Sequence, residues 1–88
     1  MNTSERIQEQ LAALNPQRIE VVDESRHHVG HDGAKSGGHY KLVIVSSVFS
    51  GKPMLGRHRL VYDALKGLMQ TEIHALTIDA LTPEEDRL

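Results

Sequence analysis

The chain has 88 residues and a mass of 9.8 kDa, which is enough for one compact domain, since a domain of this size buries only somewhat more than about 60% of its unfolded surface. Hydrophobic residues make up 39% and charged residues 25%, ordinary values for a globular fold that exclude the charge-rich composition of a disordered chain. The formal charge of −2 argues against a protein that holds nucleic acid mainly by neutralising phosphates. The chain contains no cysteine, so disulfide scaffolds, thiolate nucleophiles and self-sufficient iron–sulfur sites are excluded.

The beginning of the sequence is polar. MNTSERIQEQ contains two glutamates, unlike an apolar signal peptide or an acid-poor transit peptide. The longest apolar run, residues 42–45, is far too short to span a bilayer. We therefore expect a cytoplasmic protein that does not associate with membranes.

The first predicted element is an amphipathic helix that ends before Pro16. Asn2 or Thr3 can cap it, and Glu5 stands three residues after Asn2, as in a capping box. Its apolar positions follow an i, i+4, i+7 spacing: Ile7, Leu11 and Leu14. One apolar stripe of this kind must dock on a larger surface.

Two strands follow, separated by a long segment rich in glycine and histidine. Residues 18–23, RIEVVD, predict a strand with Ile19 and Val21 on one face, and residues 39–47, HYKLVIVSS, predict a central strand with apolar residues on both faces. Residues 24–38 hold four of the seven glycines and three histidines without an apolar period. They predict a flexible loop of the kind that is functional or disordered in small domains.

A second helix and a third strand complete the domain. Residues 57–69 predict an amphipathic helix after a turn at 49–56. Residues 73–80, IHALTIDA, predict a strand with His74, Leu76, Ile78 and Ala80 on one face, and residues 81–88 predict a frayed acidic tail. The order helix-strand-strand-helix-strand over residues 1–88 predicts a single α+β domain, whose three-stranded mixed sheet carries the helices on one face.

The six histidines, at 27, 28, 31, 39, 58 and 74, are the unusual feature of the composition. His27, His28 and His31, followed by Asp32, are close enough to bind a divalent metal, but a glycine-rich loop does not fix ligand geometry. Solvated loop histidines are the alternative interpretation.

His74 and His58 lie on a predicted strand and a predicted helix. His74 begins the third strand, where an imidazole can be ordered near the rim of the core or serve only a structural role. His58 shares the apolar stripe of the second helix, which predicts a packed or hydrogen-bonded residue.

Lys52, Arg57 and Arg59 form the one concentrated basic patch of the sequence. The two arginines are separated by about 200° around a helix, so they form no continuous face, although modest phosphate contact is compatible with their position. A solvated helix face is the alternative. No nucleophile elbow or carboxylate pair is evident, so we expect no enzymatic activity.

The segments VVDES, GGHYKLVIVSSVFSGKPMLGRHRLVY and IHALTIDALTPEE together resemble the BolA-like family. The resemblance covers nearly the whole chain, and its most specific part is FxGxxxxxRHRxVY followed by IHAL. It implies a fold similar to a class II KH domain, in agreement with the predicted order of elements.

The resemblance also implies a cofactor and a partner. BolA-like proteins associate with monothiol glutaredoxins and share a [2Fe-2S] cluster, to which glutaredoxin and glutathione give thiolates and the BolA-like protein gives histidine. The family's C-terminal ligand falls on His74, and its loop ligand, three residues after Ser25, falls on His28, with His31 as a substitute. Histidine ligation would raise the potential of the cluster and make its binding sensitive to pH.

A second theme of the family is transcriptional regulation through DNA binding, here by Lys52, Arg57 and Arg59. The segment GKPMLG lacks the GxxG spacing of KH domains, which argues against RNA binding in the KH manner. We therefore expect an adaptor in iron–sulfur trafficking or iron homeostasis, with a DNA-binding stress or morphology regulator as the alternative.

Overall fold

The computed structural model describes residues 2–25 and 38–88. Its elements are α1 (Thr3–Leu11), β1 (Arg18–Asp23), β2 (Gly38–Val45), α2 (Met54–Ala64), α3 (Lys66–Met69), β3 (Ile73–Leu81) and α4 (Pro83–Asp86), with 3-10 turns at Ala12–Leu14 and Ser47–Phe49. The predicted order of the main elements is confirmed. The second helix begins earlier than predicted, at Met54, and divides at Leu65 into α2 and α3.

Helix α1 begins with the predicted capping box. The Glu5 amide donates a hydrogen bond of 2.9 Å to the Asn2 side chain, and the Asn2 amide donates one of 3.1 Å to the Glu5 carboxylate. The helix buries Ile7 and Leu11 completely. After the 3-10 turn, Asn15 takes a left-handed conformation with φ of 51°, which asparagine tolerates better than most residues, and the chain turns toward the sheet.

The sheet has the strand order β1-β2-β3, with β1 and β2 antiparallel and β2 and β3 parallel. The register places Leu42 of β2 between Val21 of β1 and Ile78 of β3, so one face of the sheet is apolar across all three strands. On the other face, Lys41 pairs with Thr77 and both are exposed. The predicted mixed sheet with a central β2 is confirmed.

The core lies between the apolar face of the sheet and the helices. Buried residues of the helices, the strands and the second 3-10 turn form one cluster: Ile7, Leu11, Tyr40, Leu42, Ile44, Phe49, Val61, Leu65, Leu68, Ile73, Ile78 and Ala80. Within residues 2–25 and 38–88, no helix is long and apolar enough to cross a membrane.

The prediction of a frayed tail over residues 81–88 is wrong. Leu81 belongs to β3, and α4 begins with a second capping box, in which the Thr82 hydroxyl accepts from the Glu85 amide at 3.2 Å. Arg18 of β1 donates to the Asp86 carboxylate, which lowers the pKa of Asp86. The acidic residues of this segment are therefore caps and ion-pair partners that fix the end of the chain.

Candidate functional site

The N-terminal ends of β2 and β3 bring two histidines together. His39 and His74 are each the second residue of their strand, and because the strands are parallel, their beginnings meet at one edge of the sheet. The ring centroids are 5.1 Å apart, with an angle of 45° between the planes. His74 is exposed and His39 is half-buried. We refer to these two residues as the histidine pair.

A bulge in β3 gives His74 its exposure. Gly38 pairs with Ile73 and His39 pairs with Ala75, so His74 is an extra residue that has no pairing partner on β2. A bulge redirects side chains locally. Ile73 accordingly enters the core at 3% exposure, while His74 faces solvent.

The predicted face of the sheet for His74 is therefore wrong. Strict alternation put His74 on the same face as Leu76 and Ile78, with Ile73 on the opposite face. The structure buries Ile73 and Ile78, because the extra residue shifts the alternation by one position between them. A strand pattern read from sequence assumes a regular pleat, and the bulge is not visible in it.

Hydrogen bonds from both sides fix the main chain at Gly38 and His39. Its amide donates to the Ser25 hydroxyl at 3.0 Å, and its carbonyl accepts from the Glu24 amide at 2.8 Å. On the other side, the Gly38 amide donates to the carbonyl of Glu72 at 3.0 Å. The backbone carrying the histidine pair is thus tied to the end of β1 and to the segment that enters β3.

The segment before His74 is also tied to α1. The carboxylate of Glu72 accepts hydrogen bonds from the Thr3 hydroxyl at 2.8 Å and from Arg6 Nη1 at 2.6 Å. The hydrogen bond from Thr3 and then the Arg6 guanidinium lower the pKa of Glu72. The histidine pair therefore lies on a part of the sheet that side chains of α1 hold in place.

Imidazole nitrogen is a good ligand for iron, zinc, copper and nickel, so the histidine pair has the right donor chemistry for a transition metal. Its place at an exposed edge allows a second molecule to supply further ligands. Among residues 2–25 and 38–88, no group of three or more metal-ligating side chains is assembled. The pair alone offers two of the four positions of a tetrahedral centre.

His39 was not singled out in the sequence analysis. A usable signal was present, since His39 and His74 both stand at the beginning of strands whose connection through a helix predicts parallel neighbours. The two other predicted ligands, His28 and His31, lie within residues 26–37, outside the described residues, and their assignment stays a prediction. The predicted flexible loop over residues 24–38 also stays a prediction for residues 26–37.

His58 lies on α2 and is half-buried. Its Nε2 atom is shielded from solvent and finds no hydrogen-bond partner among residues 2–25 and 38–88. This placement agrees with the predicted packed residue and separates His58 from the histidine pair.

The predicted basic patch is divided by the fold. Arg57 is only 8% exposed, and its guanidinium donates to the Lys52 carbonyl at 2.9 Å, the Ala80 carbonyl at 2.9 Å and Glu85 Oε1 at 2.6 Å. Arg57 thus connects α2 with β3 and α4, and this arrangement argues against Arg57 as a phosphate contact. Lys52 and Arg59 are exposed, as a phosphate contact requires.

Glu85 completes this internal network. Its carboxylate receives two hydrogen bonds from the Arg57 guanidinium and one from the Thr82 amide. Arg57 first, and the Thr82 amide second, lower the pKa of Glu85 from 4.5 to about 2. Sequence reasoning could not find the ion pair of Arg57 and Glu85, because nothing in the local pattern distinguishes Arg57 from Arg59 or relates either arginine to Glu85.

The fold and site define a small α+β domain with a histidine pair, of which His74 is exposed, at one edge of its mixed sheet. A sequence profile described as BolA-like protein matches residues 11–85. The chain therefore belongs to the BolA-like family, as the sequence motifs predicted.

Two relatives and one solved structure illustrate the similarity. The chain is 43% identical over 86 residues to the DNA-binding transcriptional regulator BolA of Escherichia coli, covering 97% of this chain and 80% of that protein. It is 41% identical over 87 residues to SufE-like protein 1, chloroplastic/mitochondrial, of Arabidopsis thaliana, covering 91% of this chain. The solved BolA domain of SufE1 from Arabidopsis thaliana superposes with a TM-score of 0.83 at 44% identity, covering 97% of this chain and 98% of that one.

The chain spans very different shares of these relatives. It corresponds to 24% of the Arabidopsis SufE-like protein and to most of the Escherichia coli regulator. The same domain therefore occurs both as a module of a longer protein and as nearly the whole of a short one.

Proposed function

We propose that this chain is a cytoplasmic, non-enzymatic adaptor that pairs with a monothiol glutaredoxin and gives His74 as a ligand to a shared [2Fe-2S] cluster. Glutaredoxin and glutathione would give the thiolates, and the complex would serve iron–sulfur trafficking or iron homeostasis. The observation that carries the proposal is the exposed imidazole of His74, held at a bulge on an ordered sheet edge.

The chemistry of the chain supports this division of ligands. Iron–sulfur clusters are bound mainly by thiolates, and histidine replaces cysteine in clusters of higher potential. The chain has no cysteine, so a cluster that it binds needs thiolates from other molecules. An exposed imidazole can reach such a cluster without unfolding the core, whereas a buried one cannot.

The proposal retains His28 as the loop ligand, with His31 as its substitute. The imidazoles of His74 and of the loop histidine must both be neutral to ligate, because a protonated ring has no free nitrogen lone pair. Cluster transfer from the complex is therefore expected to become easier as pH falls.

The test is the visible absorption and circular dichroism of the chain reconstituted with a monothiol glutaredoxin, glutathione, iron and sulfide. The mixed complex is expected to give bands that differ from those of the glutaredoxin cluster alone, and His74→Ala is expected to remove that difference. His74 is exposed, so the variant should keep its fold. His58→Gln serves as the control, since it removes a histidine outside the pair and should leave the bands unchanged. A mixture whose spectrum equals that of glutaredoxin alone contradicts the proposal.

DNA binding is a second candidate function, favoured by the name of the Escherichia coli relative and by the exposure of Lys52 and Arg59. Each phosphate contact contributes about −0.9 to the slope of log K against log salt concentration. Two cations per domain therefore predict a slope of about −2, and the double variant Lys52→Ala, Arg59→Ala should bring it close to zero. Fluorescence anisotropy on duplex DNA between low and physiological salt measures the slope. An unchanged slope in the double variant contradicts this function for the patch.

A further inference from the structure

We propose that His39 is a second ligand beside His74, so that the histidine pair binds one transition-metal atom through two imidazole nitrogens. The inference rests on the proposed function where that atom is the iron of a shared cluster. It deepens that function by naming a ligand on β2: on that iron, His39 takes the terminal position that the proposed function gives to His28, because a [2Fe-2S] cluster has four terminal positions and two of them belong to the thiolates.

The separation of the rings matches this role. Metal–nitrogen bonds to histidine are about 2.0–2.1 Å, and a ring nitrogen lies about 1.1 Å from the ring centre, so a bound metal is about 3.2 Å from each centre. At a tetrahedral angle of about 109°, two such centres are about 5.2 Å apart. The observed separation of the centroids is 5.1 Å.

The scaffold under the pair is suited to holding two ligands at a fixed distance. His39 is fixed by hydrogen bonds to Ser25 and Glu24 on one side, and the Gly38 amide is bonded to Glu72 on the other. A Cβ atom at Gly38 would lie 2.5 Å from the Tyr40 ring and 2.7 Å from the Ser25 hydroxyl. The backbone here is closely packed, and a site on strands keeps its ligands in place better than one on a loop.

The exposure of the pair also agrees with a shared centre. His74 is exposed and His39 is half-buried, so a metal held between them remains accessible on its outer side. On a single metal ion, two tetrahedral positions would then be left for donors of a partner, whereas on a cluster iron those two positions would belong to the sulfides and the partner's thiolates would bind the other iron. A histidine pair on one iron, opposite thiolates on the other, is the arrangement of ligands in Rieske clusters.

Contact between the rings is the competing explanation, since tilted rings with centroids about 5 Å apart also pack favourably without a metal. His39→Phe separates the two explanations. Phenylalanine keeps a planar ring beside His74 but has no nitrogen donor, so a packing role survives the substitution and a ligand role does not. The amide spectrum of the variant reports whether the fold is intact.

The experiment is a Zn²⁺ titration of the isolated full chain, uniformly labelled with ¹⁵N and followed through long-range couplings of the imidazole nitrogens. The nitrogens of His39 and His74 are expected to shift together with one dissociation constant, while those of His58 stay unchanged. His39→Phe should weaken Zn²⁺ binding at His74 about tenfold or more, because the second contact is then no longer intramolecular. Since each histidine is followed by its own signal, binding elsewhere in the chain does not obscure the result.

The proposal is overturned if Zn²⁺ shifts His74 alone, or if His39→Phe binds at His74 as tightly as the unaltered chain. The glutaredoxin reconstitution is the second experiment, in which His39→Phe is expected to change the visible bands as His74→Ala does. Wild-type bands in the His39→Phe complex overturn the role of His39 toward iron and leave that of His74 intact. If the unaltered chain gives only the spectrum of glutaredoxin, the proposed function fails, whereas the Zn²⁺ titration still decides whether the pair binds a metal.

Discussion

Substitution of Arg57 is predicted to destabilise the domain strongly, whereas the same substitution at Arg59, two positions away, is not. Arg57 is 8% exposed and donates to two main-chain carbonyls and to Glu85. Arg59 is exposed on the same helix. Arg57→Met and Arg59→Met therefore form a matched pair, in which methionine keeps an unbranched chain and removes the guanidinium.

The magnitude follows from the hydrogen bonds that Arg57→Met removes. The bond to the Ala80 carbonyl is buried, and loss of its donor costs about 1–3 kcal/mol. The part-buried bond to the Lys52 carbonyl adds about 1 kcal/mol. Glu85 is 41% exposed, so water replaces its lost partner and it adds little. The sum is about 2–4 kcal/mol, against about 0.5 kcal/mol or less for a surface substitution at Arg59.

Urea denaturation followed by far-ultraviolet circular dichroism measures both variants. For a domain of this length, each kcal/mol lowers the melting temperature by about 4–8 °C, so the loss at Arg57 should also be clear in a thermal scan. The reasoning is refuted if Arg57→Met unfolds at the same urea concentration as the unaltered chain. It is also refuted if the two variants lose equal stability, because the fold then does not distinguish the two arginines.

Two further predictions concern Glu85 and the glycines. The pKa of Glu85 lies at about 2 in the folded chain against an ordinary 4.5, so its contribution to stability is complete above about pH 4.5 and is lost as pH falls toward 2. The stability difference between the unaltered chain and Glu85→Gln should therefore shrink over that range of pH in urea titrations, and a constant difference contradicts the assignment. Gly38→Ala should lower the melting temperature because a Cβ atom there overlaps neighbouring side chains. Gly67→Ala should raise it, since no atom lies within 4 Å and alanine is the better helix former by about 1 kcal/mol; equal effects at the two glycines contradict this account.

The main elements could be predicted because local patterns decide them. The capping box of Asn2 and Glu5, the apolar spacing of α1 and the alternation of β2 all follow from chemistry within a few residues. The parallel pairing of β2 and β3 followed from the helix between them, because a helical crossover is the usual connection between parallel strands. The family motifs, in particular the IHAL segment, directed attention to His74.

The remaining features depend on contacts between distant residues. The bulge at His74 arises from the register of β3 against β2, and no pattern within β3 specifies it. The ion pair of Arg57 and Glu85 joins residues 28 positions apart, so Arg57 looked like part of a basic surface. The order of the last eight residues likewise depends on partners in β1 and α2, which a reading of the tail by itself does not include.

The most direct test of cluster ligation is pulsed electron paramagnetic resonance on the reduced complex of the chain with a monothiol glutaredoxin, glutathione and the reconstituted cluster. Labelling only this chain with ¹⁵N-histidine assigns any strongly coupled imidazole nitrogen to it and not to the partner. The account predicts coupling to the imidazole nitrogens of two histidines, of which His74→Ala removes one. A reduced cluster without ¹⁵N coupling, or with the same set of couplings in His74→Ala as in the unaltered chain, contradicts it.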